Sequence, residues 1–298
     1  MKFKQLGESD LEVSEVSFGC MSLGTSHLDN AELLHSALDK GINFFDTADL
    51  YDKGLNEETV GRAFAGIRKE VIIATKVGNQ WRPDGSGWDW NPTKAYILQA
   101  VEASLLRLQT NYIDLYQLHG GTIDDPIDET IEAFELLKQQ GKIRHYGISS
   151  IRPNVVREYV KRSGIASVML QYSLLDRRPE EAVLDLLHKQ GIGVLARGSL
   201  AQGLLAGKPA KPYLGYTLEE VGKAAKAVQT VAGAKRKSAE AALRYTLHHP
   251  AVSAAVLGIR TSEQLEEALQ AGASAPLLAE EIKMLQQTLP ANRYEQHR

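Results

Sequence analysis

Short apolar runs alternate along the chain with longer segments in which apolar residues recur at three- and four-residue spacing. The runs are "EVSFG" (15–19), "INFF" (42–45), "VIIAT" (71–75), "YIDLYQL" (112–118), "RHYGIS" (144–149), "SVMLQ" (167–171), "GVLA" (193–196) and "SAAVLG" (253–258). Such brief runs, several of them rich in β-branched residues, read as buried strands. Between them, "NAELLHSALDKG" carries Leu33, Leu34, Ala37 and Leu38 at helical spacing and closes on Gly41. "NPTKAYILQAVEASLLRL" offers Asn91 as N-cap and Pro92 in the first turn, and "DPIDETIEAFELLKQQGK" stops at Gly141. Eight strand-then-helix units in 298 residues predict parallel strands with right-handed crossovers, closed into an α/β (β/α)8 TIM barrel over 1–298 as a single domain. The rival is an open doubly wound sheet. "GIGVLA" (191–196) spells its glycine motif, but those glycines precede a strand instead of leaving one. "GNQWRPDGSGWDWNP" (78–92) and "GKPAKPYLGY" (207–216) read as long loops at the C-terminal mouth.

Composition narrows the classes. A formal net charge of −3 signals neither nucleic acid nor an anionic membrane as partner. No apolar run approaches the ~18 residues that span a bilayer. The opening "MKFKQLGESD" has no signal-peptide core, and the single cysteine, Cys20, forms no internal disulfide; a cytoplasmic monomer is the expectation. His248 and His249 are adjacent, and neither H-x-x-x-H nor C-x-x-C occurs, so no metal is expected. No G-x-S-x-G elbow announces a serine nucleophile.

In a barrel, the residues just past the strands' C-terminal ends share one mouth. Asp46 and Tyr51 follow the second predicted strand, Lys76 the third and His119 the fourth. Each alone has a bland reading as cap, packing residue or solvated terminus. Together they make an acid–base set. A phenol lies roughly 3 units, or about 4 kcal/mol, above neutrality. An ammonium about 4 Å away, at an effective dielectric near ~20, supplies about that much. Lys76 is the candidate cation, Asp46 its counter-ion, and His119 a hydrogen-bond donor to a substrate oxygen.

These residues, within "DTADLY", "ATK" and "DLYQLH", resemble the catalytic tetrad of the aldo-keto reductases. The likeness extends through "LGESDLEVSEVSFGCMSLG", "SLLRLQTNYIDLYQLH", "GKIRHYGISS", "LAQGLLAGK" and "LGIRTSEQLEEAL", nearly the whole chain. It is greatest to the bacterial, NADPH-dependent YhdN/IolS-like group. It implies hydride transfer from NADPH to an aldehyde or ketone, with Tyr51 protonating the product oxygen. It also implies a cofactor path: Gly19, Cys20, Met21 and Asp46, with Ser149, Ser150 and Gln171 at the carboxamide end of the nicotinamide. Arg197, Gly198, Ser199, Leu200, Gln202, Gly203, Leu205 and Lys208 follow, then Gly258, Arg260, Gln264 and Glu267. A guanidinium at Arg260 beside a helix start suits a 2′-phosphate, hence NADPH over NADH.

Some positions depart from the family pattern. Arg197 stands where many members stack an aromatic ring on the nicotinamide, and its charge disfavours the oxidised ring. Ser150 and Ala268 replace frequent asparagines, and "GGT" after His119 is unusual. Cys20 reads best as a small packing residue. The basic run Lys235 to Lys237 reads as a solvated face beside a Ser238 N-cap. Trp81, Trp88 and Trp90 all fall after Lys76 and are expected to line a substrate pocket or to cover the barrel end. The alternatives are an NADPH-binding regulatory or redox-sensing subunit and a barrel aldolase using Lys76 as Schiff base. Asp46 and Tyr51 beside Lys76 favour a charged ammonium over the latter.

Overall fold

The chain enters through a hairpin in which β1 (Phe3–Gln5) pairs antiparallel with β2 (Glu12–Ser14). Leu6, Leu11 and Val13 of this hairpin are buried against the bottom of a barrel. Gly7 allows the close fit: at φ +59° it lies so near the segment Gly191–Gly193 that a Cβ would stand 2.4 Å from the Gly191 carbonyl oxygen. The computed structural model describes residues 1–298.

The strands that follow are β3 (Val16–Gly19), β4 (Phe44–Asp46), β5 (Ile72–Val77), β6 (Asn79–Trp81), β7 (Trp88–Trp90), β8 (Ile113–Leu118), β9 (Ile143–Ser149), β10 (Ser167–Gln171), β11 (Gly193–Arg197) and β12 (Val252–Gly258). All except β6 and β7 join in the order β3-β4-β5-β8-β9-β10-β11-β12, and β12 pairs in parallel with β3 to close the barrel. The eight expected strands are the eight of the barrel, with boundaries shifted by a residue or two.

The outer layer comprises α1 (His27–Asp39), α2 (Leu55–Phe64), α3 (Lys94–Arg107), α4 (Ile127–Gln139), α5 (Pro153–Arg162), α6 (Val183–Lys189), α7 (Leu218–Ala232), α8 (Ser238–Thr246), α9 (Ser262–Ala273) and α10 (Ala279–Thr288). Their apolar faces pack on the barrel's outer side in one large core, while Phe44, Ala74, Leu115, Met169, Leu195 and Ala254 fill the interior. No helix is long and apolar enough to cross a membrane.

Three local expectations need correction. The stretch 78–92 is not simply a loop: β6 and β7 form an antiparallel hairpin pairing Trp81 with Trp88 and Asn79 with Trp90. Asn91 is not the N-cap of α3. Its N–H donates to the Gly78 carbonyl at the hairpin neck, and Thr93 caps the helix by accepting from the Tyr96 N–H. Ser238 is the first residue of α8, with Lys237 at the cap position and no side-chain cap bond.

Candidate active site

At the mouth, β4 delivers Asp46 and β5 delivers Lys76, and the turn Tyr51–Gly54 brings Tyr51 back over them. Lys76 Nζ donates to Asp46 Oδ2 at 2.7 Å, to the Thr47 carbonyl at 2.7 Å and to Tyr51 Oη at 3.3 Å. An ammonium has three N–H bonds, so all of them are used. Lys76 is wholly buried, where a charge persists only if paired. Burial works against its charge, but Asp46 and then Tyr51 outweigh that and hold the ammonium above its ordinary range. Burial also pushes the Asp46 carboxyl up, against the pull of Lys76.

The second carboxylate oxygen of Asp46 accepts from Gln117 Nε2 at 3.3 Å. Gln117 was not singled out from the sequence. Its signal was a polar residue inside the apolar run of β8, which alternation aims into the barrel. His119, just past β8, meets Tyr51 edge to face, with ring centroids 5.8 Å apart and planes at 83°. Burial, Lys76 and Arg197 lower its pKa to about 3, so the ring is neutral at pH 7. Its Nδ1 is buried without a partner in the chain.

Beside this cluster, a cavity of about 910 Å³ opens beyond β11 and β12. That is ample for a cofactor. Gly198, Ser199, Leu200, Gln202, Gly203, Lys208, Gly258, Arg260, Gln264 and Glu267 line it, as does Ala268. Gly258 lies close to Ser22: a Cβ there would stand 2.7 Å from Ser22 Oγ, which would have to turn aside. α9 starts on this wall, with Thr261 capping it through the Gln264 N–H and the Arg260 N–H bonded to Gln264 Oε1 at 2.9 Å. Ser199 Oγ is buried with no partner in the chain. Glycine-rich backbone, Lys208, Arg260, a helix start and an unsatisfied hydroxyl together suit an elongated anionic ligand.

The remaining expected cofactor residues lie elsewhere. Gly19 sits in β3 between Asp46 and Gly258 in register, linking cavity and tetrad. Cys20 is fully buried, and burial pushes its thiol well up, which fits the packing reading. Met21 is exposed and faces a second cavity. The Leu205 side chain belongs to the apolar core and does not reach the cavity wall. Ser149 ends β9, and Ser150 Oγ accepts from the Arg152 N–H. Gln171 is held at both ends: Nε2 donates to Tyr213 Oη at 2.9 Å, and Oε1 accepts from Arg197 Nη1 at 3.1 Å.

The sequence reading missed Tyr213. It also missed Arg236, Lys237 and Ser238, which line the large cavity. The basic run is therefore not a plain solvated face, because Arg236 is half-buried and paired with Glu281. Three successive basic residues ahead of a helix were the available signal.

The three tryptophans part company. Trp81 lines a second cavity of about 600 Å³ with Met21, Leu50, Tyr51 and Leu55. Trp88 is exposed and is not on that wall. Trp90 turns away: its Nε1 donates to Asp125 Oδ1 at 3.0 Å, and its ring packs over Gly78 and Gly120.

Residues 15–290 match the model of the aldo/keto reductase family. The chain is 52% identical to "Uncharacterized oxidoreductase YqkF" of Bacillus subtilis over the full length of both. It is 38% identical to the aldo-keto reductase YhdN of the same organism over 165 residues, 55% of this chain and 49% of that one. The holo form of aldo-keto reductase AKR11C1 from Bacillus halodurans superposes with a TM-score of 0.94 at 52% identity, covering 100% of this chain and 99% of that one.

Proposed function

Because the chain belongs to the aldo/keto reductase family, we propose that it reduces aldehydes or ketones to alcohols with NADPH and that Tyr51 is the general acid. The observation that carries this reading is the buried ammonium of Lys76, bonded at once to Asp46 and to the Tyr51 hydroxyl. A cation in that place favours the phenolate left behind when Tyr51 gives up its proton. Asp46 and Gln117 keep the ammonium charged and fixed, so it cannot swing into solvent. His119, neutral and next to Tyr51, has one N–H to offer the carbonyl oxygen as charge develops there.

NADPH, when bound, supplies the hydride. Lys208 and the backbone from Gly198 to Gly203 would hold its pyrophosphate, and Arg260 with the first turn of α9 its 2′-phosphate. Gln171 and Ser149 stand at strand ends near the tetrad and would meet the carboxamide. Arg197, whose charge reaches both Asp46 and His119, would lie against the nicotinamide and disfavour its oxidised, cationic form. The carbonyl substrate would enter through the cavity shared by Tyr51, Trp81 and Met21.

The test is cofactor oxidation with a reactive aromatic aldehyde, for the wild type and Tyr51→Phe, with NADPH and NADH in parallel. Turnover with NADPH in the wild type, falling by ~10²–10⁴ in the variant with NADPH binding intact, is the expected result. NADPH binding without turnover in the wild type would overturn the enzyme reading in favour of a regulatory one. Failure to bind NADPH would remove the role given to Arg260.

A further inference from the structure

Tyr51 opens a turn that its own residues disfavour. Asp52 and Lys53 both have left-handed backbone, at φ 48° and 55°, and Gly54 follows at 91°. Residues with a Cβ rarely adopt that conformation, and two in succession persist only where the surroundings impose it. The turn has its own backbone bonds, from the Tyr51 N–H to the Ala48 carbonyl and from the Lys53 N–H to the Leu50 carbonyl, and Gly54 packs against Arg107. The β6–β7 hairpin adds side-chain contacts on both sides of Tyr51. The Trp81 indole N–H donates to the carbonyl of Leu50, directly before Tyr51, at 3.3 Å. On the other side of Tyr51, the Lys53 ammonium lies 5.2 Å from the centroid of the same indole and donates to the Gly85 carbonyl at 3.4 Å.

One hairpin thus grips the chain on both sides of Tyr51. The barrel does not need it for closure, since β5 pairs directly with β8. Against the tetrad, the Tyr51 hydroxyl has only the 3.3 Å bond from Lys76. A small displacement of the turn would break that bond, and misplacement of a reacting group by about 1 Å can cost ~10²-fold in rate.

We infer that Trp81 and Lys53 are positioning residues for Tyr51, acting through the turn Tyr51–Gly54 and making no hydrogen bond to Lys76 or His119. The inference rests on the reading of Tyr51 as the general acid. It differs from a role for Trp81 as pocket wall alone, because the indole N–H and the ring face toward Lys53 are both engaged with the turn. A wall residue acts on substrate binding. A clamp on the acid acts on the chemical step and leaves cofactor binding alone.

The experiment compares wild type, W81F, K53M and K53R by kcat, KM, calorimetric NADPH binding and the isotope effect with 4-deuterated NADPH. W81F keeps an aromatic wall but removes the N–H, and K53M keeps the stem but removes the charge. The expected result is a ~10-fold fall in kcat for W81F and a smaller fall for K53M, partly restored in K53R. The isotope effect rises in W81F, while KM and NADPH affinity stay within about twofold. A raised KM with unchanged kcat in W81F would leave Trp81 as wall only and overturn the inference. So would wild-type kcat in both W81F and K53M. A wild type that binds NADPH but does not turn over fails the proposed function instead, and that outcome is read before any variant is made.

Discussion

Phe44, Ala74 and Leu115 face one another inside the barrel above the hairpin's Leu6, Leu11 and Val13. Two residues further along the same three strands stand Asp46, Lys76 and Gln117, bonded to one another. Strand alternation places both sets on the inner face, so they form adjacent layers of one interior. The lower layer is stabilised by burial of apolar surface. The upper layer carries buried charge, whose desolvation is offset only by mutual pairing. The comparison shows how a rigid apolar layer supports a costly polar one: the strands are held from below while their ends present chemistry.

The largest effect expected on this contrast comes from breaking the polar pair. Lys76→Met leaves Asp46 buried alone, and loss of ~3–5 kcal/mol in urea unfolding is expected together with loss of turnover. Removing both charges, in Lys76→Met/Asp46→Leu, should recover much of the stability and none of the activity. If the double variant is as unstable as the single, the polar layer is not costly in the way described. Leu115→Ala tests the other layer. It should cost ~2–5 kcal/mol by the same measurement while leaving kcat of the folded fraction within a few-fold.

Outside the two layers, Arg260→Ala should weaken NADPH by ~10–100-fold, the worth of a charge-assisted contact, and leave NADH little changed. Equal losses for both cofactors would place Arg260 away from the 2′-phosphate. His119 gives a pH signature. Its folded pKa, about 3, lies below the ordinary 6.5, so in acid the unfolded chain takes up a proton that the folded chain refuses. Stability is therefore unaffected by His119 above pH 6.5 and falls as pH drops from 6.5 toward 3. The unfolding midpoint of His119→Asn should be less sensitive over that window, and the wild-type kcat should show no inflection near 6.5. The smallest effect concerns Arg197. NADPH should bind a few-fold more tightly than NADP, and Arg197→Phe should narrow that gap; equal binding of both redox states by the wild type would count against the arginine's role.

Short strands bounded by turn residues were visible because a strand buried on both faces needs a largely apolar run, and the runs recur in alternation with helical spacing. The tetrad was visible because four chemically matched side chains sat at the same ends of neighbouring runs. The β6–β7 hairpin was not, because three-residue strands around a polar tip carry too little alternation to register. Nor were Gln117 and Arg236: a polar residue in a strand, or a cation before a helix, announces neither its partner nor its depth. The tryptophans make the same point, since three rings on one segment separate into cavity wall, exposed surface and packing against Gly78 and Gly120.

Local periodicity along the chain determined the eight strand-then-helix units and put the polar groups just past their strands, because each depends on residues near in sequence. Which of those groups are buried, which nitrogen meets which oxygen, and which hairpin bonds to the turn of Tyr51 were decided only by the tertiary packing of neighbouring strands and loops. Those facts depend on distances between segments far apart in the chain, and parallel pairing of β4, β5 and β8 is what makes them short.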